Sequence, residues 1–217
     1  MQSNLPLHFA MAAKKYGLSL HSQVLEESAL FLTLLEKWSG KMNLTGFKER
    51  DQIIHKLFME SFLLADKIPA GEKIIVDIGS GAGFPGIIIK LVHRDALVVL
   101  IEANLKKAVF LQEVRDTLGL RRIKIKRTRF ENFCKDREAY ADVITCRGAW
   151  NDETMPALCS RLARSKGLLF RFIHLKDTET SLLETPALWK IDKIFPLPDQ
   201  STAICSWKKV FHVEHSP

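Results

Sequence analysis

Apolar residues recur along this chain with two periods, and the change from one to the other divides it. Through residues 1–70 the spacing is that of amphipathic helices. Leu30, Leu34 and Trp38 fall four residues apart, with Leu25 and Phe31 near the same face. The stretch Gly40 to Gly46, holding Asn43 and Thr45, breaks this pattern and predicts a loop. A second helix is predicted from Asp51 to Asp66 with Ile54, Leu57, Phe58 and Phe62 turned inward, and Pro69-Ala70-Gly71 closes the region. Beyond it the apolar positions come as short runs rich in β-branched residues, at 73–78, 97–101, 123–126, 141–145 and 168–173. Such runs suit strands buried on both faces, as in parallel sheet. Helices are predicted between them at 86–92, 105–118 and 152–164. Strand alternating with helix predicts an α/β fold with a doubly wound, mostly parallel sheet. Two last runs, 191–197 and 202–208, predict an antiparallel hairpin at the C-terminal edge. The chain then divides into an N-terminal helical extension (1–70), an α/β core (71–209) and a tail (210–217).

The first predicted strand leads into Asp77-Ile78-Gly79-Ser80-Gly81-Ala82-Gly83-Phe84-Pro85-Gly86. Glycines at a strand-to-helix turn let the backbone bend sharply and let a ligand approach the main chain closely. A dinucleotide fingerprint requires a third glycine at position 84, where this chain has Phe, and no Gly-Lys-Ser/Thr ending marks a phosphate loop. The pattern acidic-x-Gly-x-Gly-x-Gly is similar to the turn with which class I, Rossmann-like methyltransferases hold S-adenosylmethionine. The second strand ends Leu100-Ile101-Glu102, where a carboxylate can accept hydrogen bonds from both ribose hydroxyls of an adenosine cofactor. A glycine turn alone is a tight turn, and a lone strand-end Glu is a solvated one; in this succession they point to a cofactor.

Charge adds a partner class. The net charge is +7 and the pI about 9.3, which favours a polyanion. From Arg121 to Arg129 six of nine residues are basic, and Lys124 and Lys126 would share one side of a strand with Ile123 and Ile125 on the other. Arg121, Arg122, Lys124, Lys126 and Arg127 are therefore the candidate RNA-backbone contacts, a solvated strand edge being the alternative. The four cysteines are scattered without metal-ligand spacing, the histidines form no cluster, and no metal is expected. No apolar run is long enough to span a bilayer, and the N-terminus lacks the pattern of a secretory signal, so a cytoplasmic protein without membrane contact is expected.

With these residues in hand, the chain resembles the bacterial rRNA small-subunit methyltransferase G family, also called GidB, from about Leu34 to Lys208. The most specific piece is Gly83-Phe84-Pro85-Gly86. Trp38 followed by Asn43-Leu44-Thr45 matches an N-terminal signature, and Glu102-Ala103-Asn104 with Lys106-Lys107 matches the stretch after the second strand. Arg129-Phe130-Glu131 falls where the family brackets the adenine, and Arg147-Gly148-Ala149 where it carries an arginine near cofactor and substrate. The sequence departs from the family at Leu57, where a His is usual, at Glu60-Ser61 for Asp-Ser, and at Cys146 for Ser. The resemblance implies methyl transfer to guanine N7 of small-subunit rRNA, as free RNA or in a ribosomal particle, by a monomer. It implies S-adenosylmethionine binding by Asp77, Gly79, Gly81, Phe84, Glu102, Ala103, Asn104, Phe130, Glu131 and Arg147, with Arg147 also the catalytic residue.

The N7 lone pair is unprotonated at neutral pH, so such a reaction needs alignment and no general base. Two other readings fit the same motifs: a class I methyltransferase acting on a small molecule or protein, and a homologue that binds RNA or cofactor without catalysis. The tail Val210-Phe211-His212-Val213-Glu214-His215 has no assignable role in either fold or chemistry. It can be encoded by GTG-TTC-CAC-GTG-GAA-CAC, which contains the palindrome TGTTCCACGTGGAACA, similar to the centromere-like site of bacterial chromosome partitioning. Constraint on the DNA would leave the peptide disordered and dispensable.

Overall fold

The computed structural model describes residues 4–150, 154–175, 188–199 and 201–210. Seven strands form one sheet in the order β3-β2-β1-β4-β5-β7-β6. Strands β1 (Ile74–Ile78), β2 (Leu97–Ile101), β3 (Ile123–Lys126), β4 (Ala141–Cys146) and β5 (Ala163–His174) run parallel. The pair β6 (Trp189–Pro196) and β7 (Thr202–Lys209) form the expected antiparallel hairpin, with β7 inserted between β5 and β6. Helices α5 (Gly86–Val92), α6 (Leu105–Thr117), α7 (Phe130–Cys134) and α8 (Met155–Leu162) make the crossovers.

The strands form where the apolar runs are because these run between two covered faces: Ile75, Val76, Val98 and Val99 are fully buried. The sheet grows one way through β1, β2 and β3 and the other way through β4 and β5, so the chain diverges between β1 and β4. That switch point leaves a crevice at the carboxyl ends of the strands. Register fixes what faces it. Ile78 pairs with Ile101 on one side and with Cys146 on the other, and Ile101 pairs with Lys126. Gly79, Glu102, Arg147 and Arg127 therefore leave four adjacent strands at one level.

The N-terminal region holds α1 (Leu5–Lys15), α2 (Ser22–Ser39), α3 (Arg50–Ile53), a π-helical turn over Ile54–Met59 and α4 (Glu60–Lys67). Its apolar side and one face of the sheet share a single hydrophobic cluster. Phe31 of α2 stacks on Phe84 at 5.1 Å between centroids, Phe58 meets the same ring at 4.9 Å, and Phe9 meets Phe58 at 4.8 Å. Phe9, Phe31 and Phe58 are fully buried; burying each contributes roughly 1.5–3 kcal/mol relative to exposure. The extension is thus packed on the side of the core that carries the glycine turn. The opposite face of the sheet carries a second cluster around Phe133, Leu162 and Trp207.

Ile54, Leu57, Phe58 and Phe62 are buried as the spacing predicts. The inward face of α2 is rotated from the predicted one: Val24, Phe31, Leu32, Leu34 and Leu35 are buried, while Leu30 is 41% exposed. At 3.6 residues per turn the buried stripe centres between Phe31 and Leu35, leaving Leu30 on its flank. Strand β5 starts five residues earlier than predicted, because Ala163 follows α8 directly and the polar run Arg164-Ser165-Lys166 conceals the extension. Of the predicted 152–164 helix, residues 152 and 153 lie outside the described residues, as do 211–217 of the tail. Among the described residues no helix is long and apolar enough to cross a membrane.

Candidate active site

A cleft of about 690 Å³ opens at the carboxyl ends of β1, β2 and β4, within the size range of small-molecule and cofactor sites. Its floor is the turn after β1. Gly79 and Gly81 have φ of +64° and +56°, a region open to glycine and strained for other residues. A Cβ on Gly79 would lie 2.3 Å from the Ala149 Cβ, so the turn and the loop after β4 approach each other too closely for any side chain there.

Asp77 braces this turn from beneath. It is fully buried, its Oδ1 accepts the Thr145 hydroxyl at 2.8 Å, and its backbone carbonyl accepts the Ser80 hydroxyl at 3.1 Å. Its Oδ2 lies beside the Gly86 backbone without a hydrogen-bond partner in good geometry. Burial pushes its carboxyl up from 3.8 to about 6, against the opposing pull of Thr145 and Ser80.

Glu102 stands at the end of β2, 8% exposed and lining the cleft. Its Oε2 accepts the Gly81 N–H at 2.9 Å and its Oε1 the Asn104 N–H at 2.7 Å. The carboxylate therefore ties the glycine turn to the loop entering α6 and keeps lone pairs for further donors. Beside it Ala103, Lys107, Thr128, Phe130 and Glu131 form one end of the cleft. At the other end are Phe84, whose far face packs on the aromatic cluster, and Arg147. Arg147 Nη2 donates to the Lys56 carbonyl at 2.5 Å and to Glu60 Oε2 at 2.7 Å, while Nη1 is buried with no partner among the described residues.

Eight of the ten predicted cofactor residues thus line one cleft: Gly79, Gly81, Phe84, Glu102, Ala103, Phe130, Glu131 and Arg147. Asp77 lies under the turn, and Asn104 caps α6 by accepting the Lys107 N–H at 3.2 Å. Arg121, Arg122, Lys124, Lys126 and Arg127 are exposed along the edge strand β3 and its flanks; Arg122 comes within 4.0 Å of Glu72. This strand leads to the rim, where Thr128 and Arg129 line the cleft.

Leu44, Thr45, Gly46 and Phe47 build a further wall of the cleft, and none of them is among the expected site residues. Thr45 closes that turn, its hydroxyl donating to the Phe47 carbonyl at 2.8 Å and accepting the Phe47 N–H at 3.2 Å. A Thr two residues before an aromatic within a predicted loop was the available local signal. The four cysteines are free and buried. Burial pushes Cys146 up to about 12 and Cys134 and Cys205 up to about 11, so these thiols stay protonated and inert as nucleophiles. Among the described residues no group of three or more His, Cys, Asp or Glu could hold a metal ion.

The sequence profile of the rRNA small subunit methyltransferase G family matches residues 24–203. A ribosomal RNA small subunit methyltransferase G from Fusobacterium nucleatum is 34% identical over 144 residues, which cover 66% of this chain and 62% of the relative. One from Roseiflexus sp. is 33% identical over 158 residues, covering 71% and 67%. The match therefore spans just under two thirds of the first relative and two thirds of the second. Among solved structures, an S-adenosylmethionine-dependent methyltransferase from Aquifex aeolicus superposes with a TM-score of 0.61 at 16% identity, covering 75% of this chain and 94% of that one. That likeness is one of fold, and the fold is the α/β, Rossmann-like one of class I methyltransferases. On the profile match over most of its length, the chain belongs to the rRNA small subunit methyltransferase G family.

Proposed function

We propose that this chain transfers a methyl group from S-adenosylmethionine to N7 of a guanine in bacterial small-subunit rRNA. The observation that carries the reading is Glu102. Its carboxylate is fixed by two backbone donors at the mouth of a glycine turn, and it lines the cleft. The same oxygens can accept the vicinal hydroxyls of a ribose. The cradle fits a cofactor that approaches main chain, since the Gly79 position has no room for even a methyl group. Ala103, Phe130 and Glu131 would flank the adenine, and the turn from Gly79 to Gly81 would face the methionine moiety. Bound there, S-adenosylmethionine supplies an electrophilic methyl on a sulfonium. Phe84, Leu57 and Leu44 contribute apolar surface to the cleft.

Guanine N7 presents its own lone pair, so the protein has to orient it and no proton has to be removed first. Arg147 is placed for this: it lines the cleft with part of its side chain exposed, and its charged fork offers donors to an acceptor there. The O6 atom beside N7 is such an acceptor. The exposed cations of β3 would neutralise backbone phosphates leading to the rim, and the chain would act as a monomer in the cytoplasm on free rRNA or an assembled particle. The test incubates the purified chain with methyl-labelled cofactor and either naked small-subunit rRNA or small-subunit particles, followed by mass mapping. One labelled guanine supports the proposal and tells RNA from particle. Label on protein or a small molecule instead overturns the substrate, and binding without transfer overturns the activity.

A further inference from the structure

Arg147 is gripped from behind by residues that no cofactor pattern includes. Its guanidinium meets Glu60 and the Lys56 carbonyl through Nη2, and its Cζ lies 4.4 Å from the centroid of the Phe172 ring. Glu60 begins α4, where the π-helical turn ends, and its side chain is only 5% exposed. The same carboxylate lies 3.5 Å from Lys56 Nζ, and Lys56 Nζ donates to Asp199 Oδ2 at 2.5 Å. Asp199 in turn accepts the Ser201 hydroxyl at 2.7 Å and the backbone N–H groups of Ser201 and Thr202. A line of alternating charge, Arg147–Glu60–Lys56–Asp199, therefore joins the loop after β4, the π-helical turn and the β6–β7 connection.

We propose that Glu60 is a positioning residue for methyl transfer: it fixes the Arg147 guanidinium at the cleft wall, and the Lys56–Asp199 clasp holds Glu60 in place. The proposal rests on the methyltransferase reading above. An arginine side chain has several free torsions, and one donor on one acceptor leaves the guanidinium plane free to swing. Anchoring Nη2 on both a carboxylate and a carbonyl, with the Phe172 face against the carbon, leaves the fork one orientation. A charged acceptor suits this better than an amide, because the guanidinium is itself largely removed from water and needs a compensating anion. Glu60 reaches the cleft only through Arg147, so its contribution should appear in alignment rather than in cofactor affinity.

The test compares Glu60→Gln, Glu60→Ala and Asp199→Asn with the wild-type chain in methylation kinetics on small-subunit rRNA or particles. Calorimetric titration with S-adenosylmethionine and thermal melting accompany it. Glu60→Ala should lower kcat about tenfold or more, the loss expected when an interaction made in the transition state is removed. Its cofactor Kd should stay within about twofold of wild type, since Glu60 does not meet that ligand. Glu60→Gln, which keeps an oxygen for Nη2, should recover part of kcat, and Asp199→Asn should lower kcat slightly with the cofactor Kd unchanged. A folded Glu60→Ala with wild-type kcat overturns the proposal, as does loss of cofactor affinity in step with kcat, which marks a structural brace. Should Glu60→Ala not fold, Glu60→Gln decides: wild-type kcat with a lowered melting temperature overturns the proposal, and lowered kcat with normal cofactor affinity supports it. A wild-type chain that methylates no RNA removes the reading beneath the proposal, and the proposal falls with it.

Discussion

Asp77 makes the stability of this fold fall as pH rises, in a way that one substitution should abolish. Its carboxyl has no exposure, one oxygen lacks a partner, and its pKa is raised from 3.8 to about 6. Between those values the folded chain keeps a proton that the unfolded chain has released. With more protons bound in the native state, the free energy of unfolding declines with pH across this window. The whole gap corresponds to about 3 kcal/mol, at roughly 1.4 kcal/mol for each tenfold change in proton affinity. That cost is absent below pH 3.8 and complete above about pH 6. Between pH 5 and pH 8 roughly half of it is expressed, since the rest of the loss has already occurred by pH 5. Asp77→Asn removes the titration but keeps an acceptor for the Thr145 hydroxyl, which can also accept from the amide. Urea unfolding of both proteins at pH 5 and pH 8 is the assay, and the difference between the two pH dependences cancels every other titrating group. The wild type should lose roughly 1–2 kcal/mol more than the variant, equivalent to a relative melting shift of roughly 2–8 °C. Parallel pH dependences, or a wild type that gains on the variant as pH rises, would refute the reasoning, the second outcome meaning that the anion is stabilised in the native state.

Gly81→Val should leave the chain folded and abolish cofactor binding in calorimetry. The position has room, its nearest neighbour to an added Cβ being 3.7 Å away, so the penalty falls on φ and on the approach of the ligand; unchanged affinity would take the turn out of the site. Replacing Lys124, Lys126 and Arg127 with Gln should weaken RNA binding and reduce the log–log salt slope by about 0.7–0.9 for each phosphate no longer neutralised. An unchanged slope would return β3 to a solvated edge. Because the Val210 N–H donates to the Leu188 carbonyl at 3.0 Å, the chain should be cut after Val210 to remove the tail alone. That truncation should keep full methyl transfer, and a loss would show that the tail matters as polypeptide.

The central strands β1, β2 and β4 were legible in the sequence because they are covered on both faces and so are apolar almost throughout. Their ends fell within a residue or two wherever a glycine or a charged residue sat at the boundary. Legibility failed at β5, where the first residues of the strand are polar and exposed, and at α7, a five-residue helix too short to show periodicity. In the site, residues at strand ends were found, since a turn signature and a carboxylate about twenty positions later are local marks. Glu60 and Arg147 are 87 positions apart and Lys56 and Asp199 are 143 apart, so no local pattern announces either pair. The Leu44–Phe47 wall carries a local mark of its turn alone, and its place at the cleft depends on packing α2 on the sheet through Phe31 and Phe84.

The two polar side chains on which the site depends are each fixed by the protein before they meet any ligand. Glu102 is held by N–H groups from two different loops, which makes its orientation and the shape of the glycine turn a single variable. Arg147 is held by a carboxylate and a carbonyl from the helical extension, a region outside the α/β core. Groups held this way lose little freedom on binding, and the alignment of donor and acceptor atoms is set by the scaffold. For a reaction whose nucleophile needs no activation, alignment is most of what a protein can contribute. Under the proposed function the extension would serve alignment as well as stability: its aromatic residues pack on Phe84, and its π-helical turn and α4 hold Arg147.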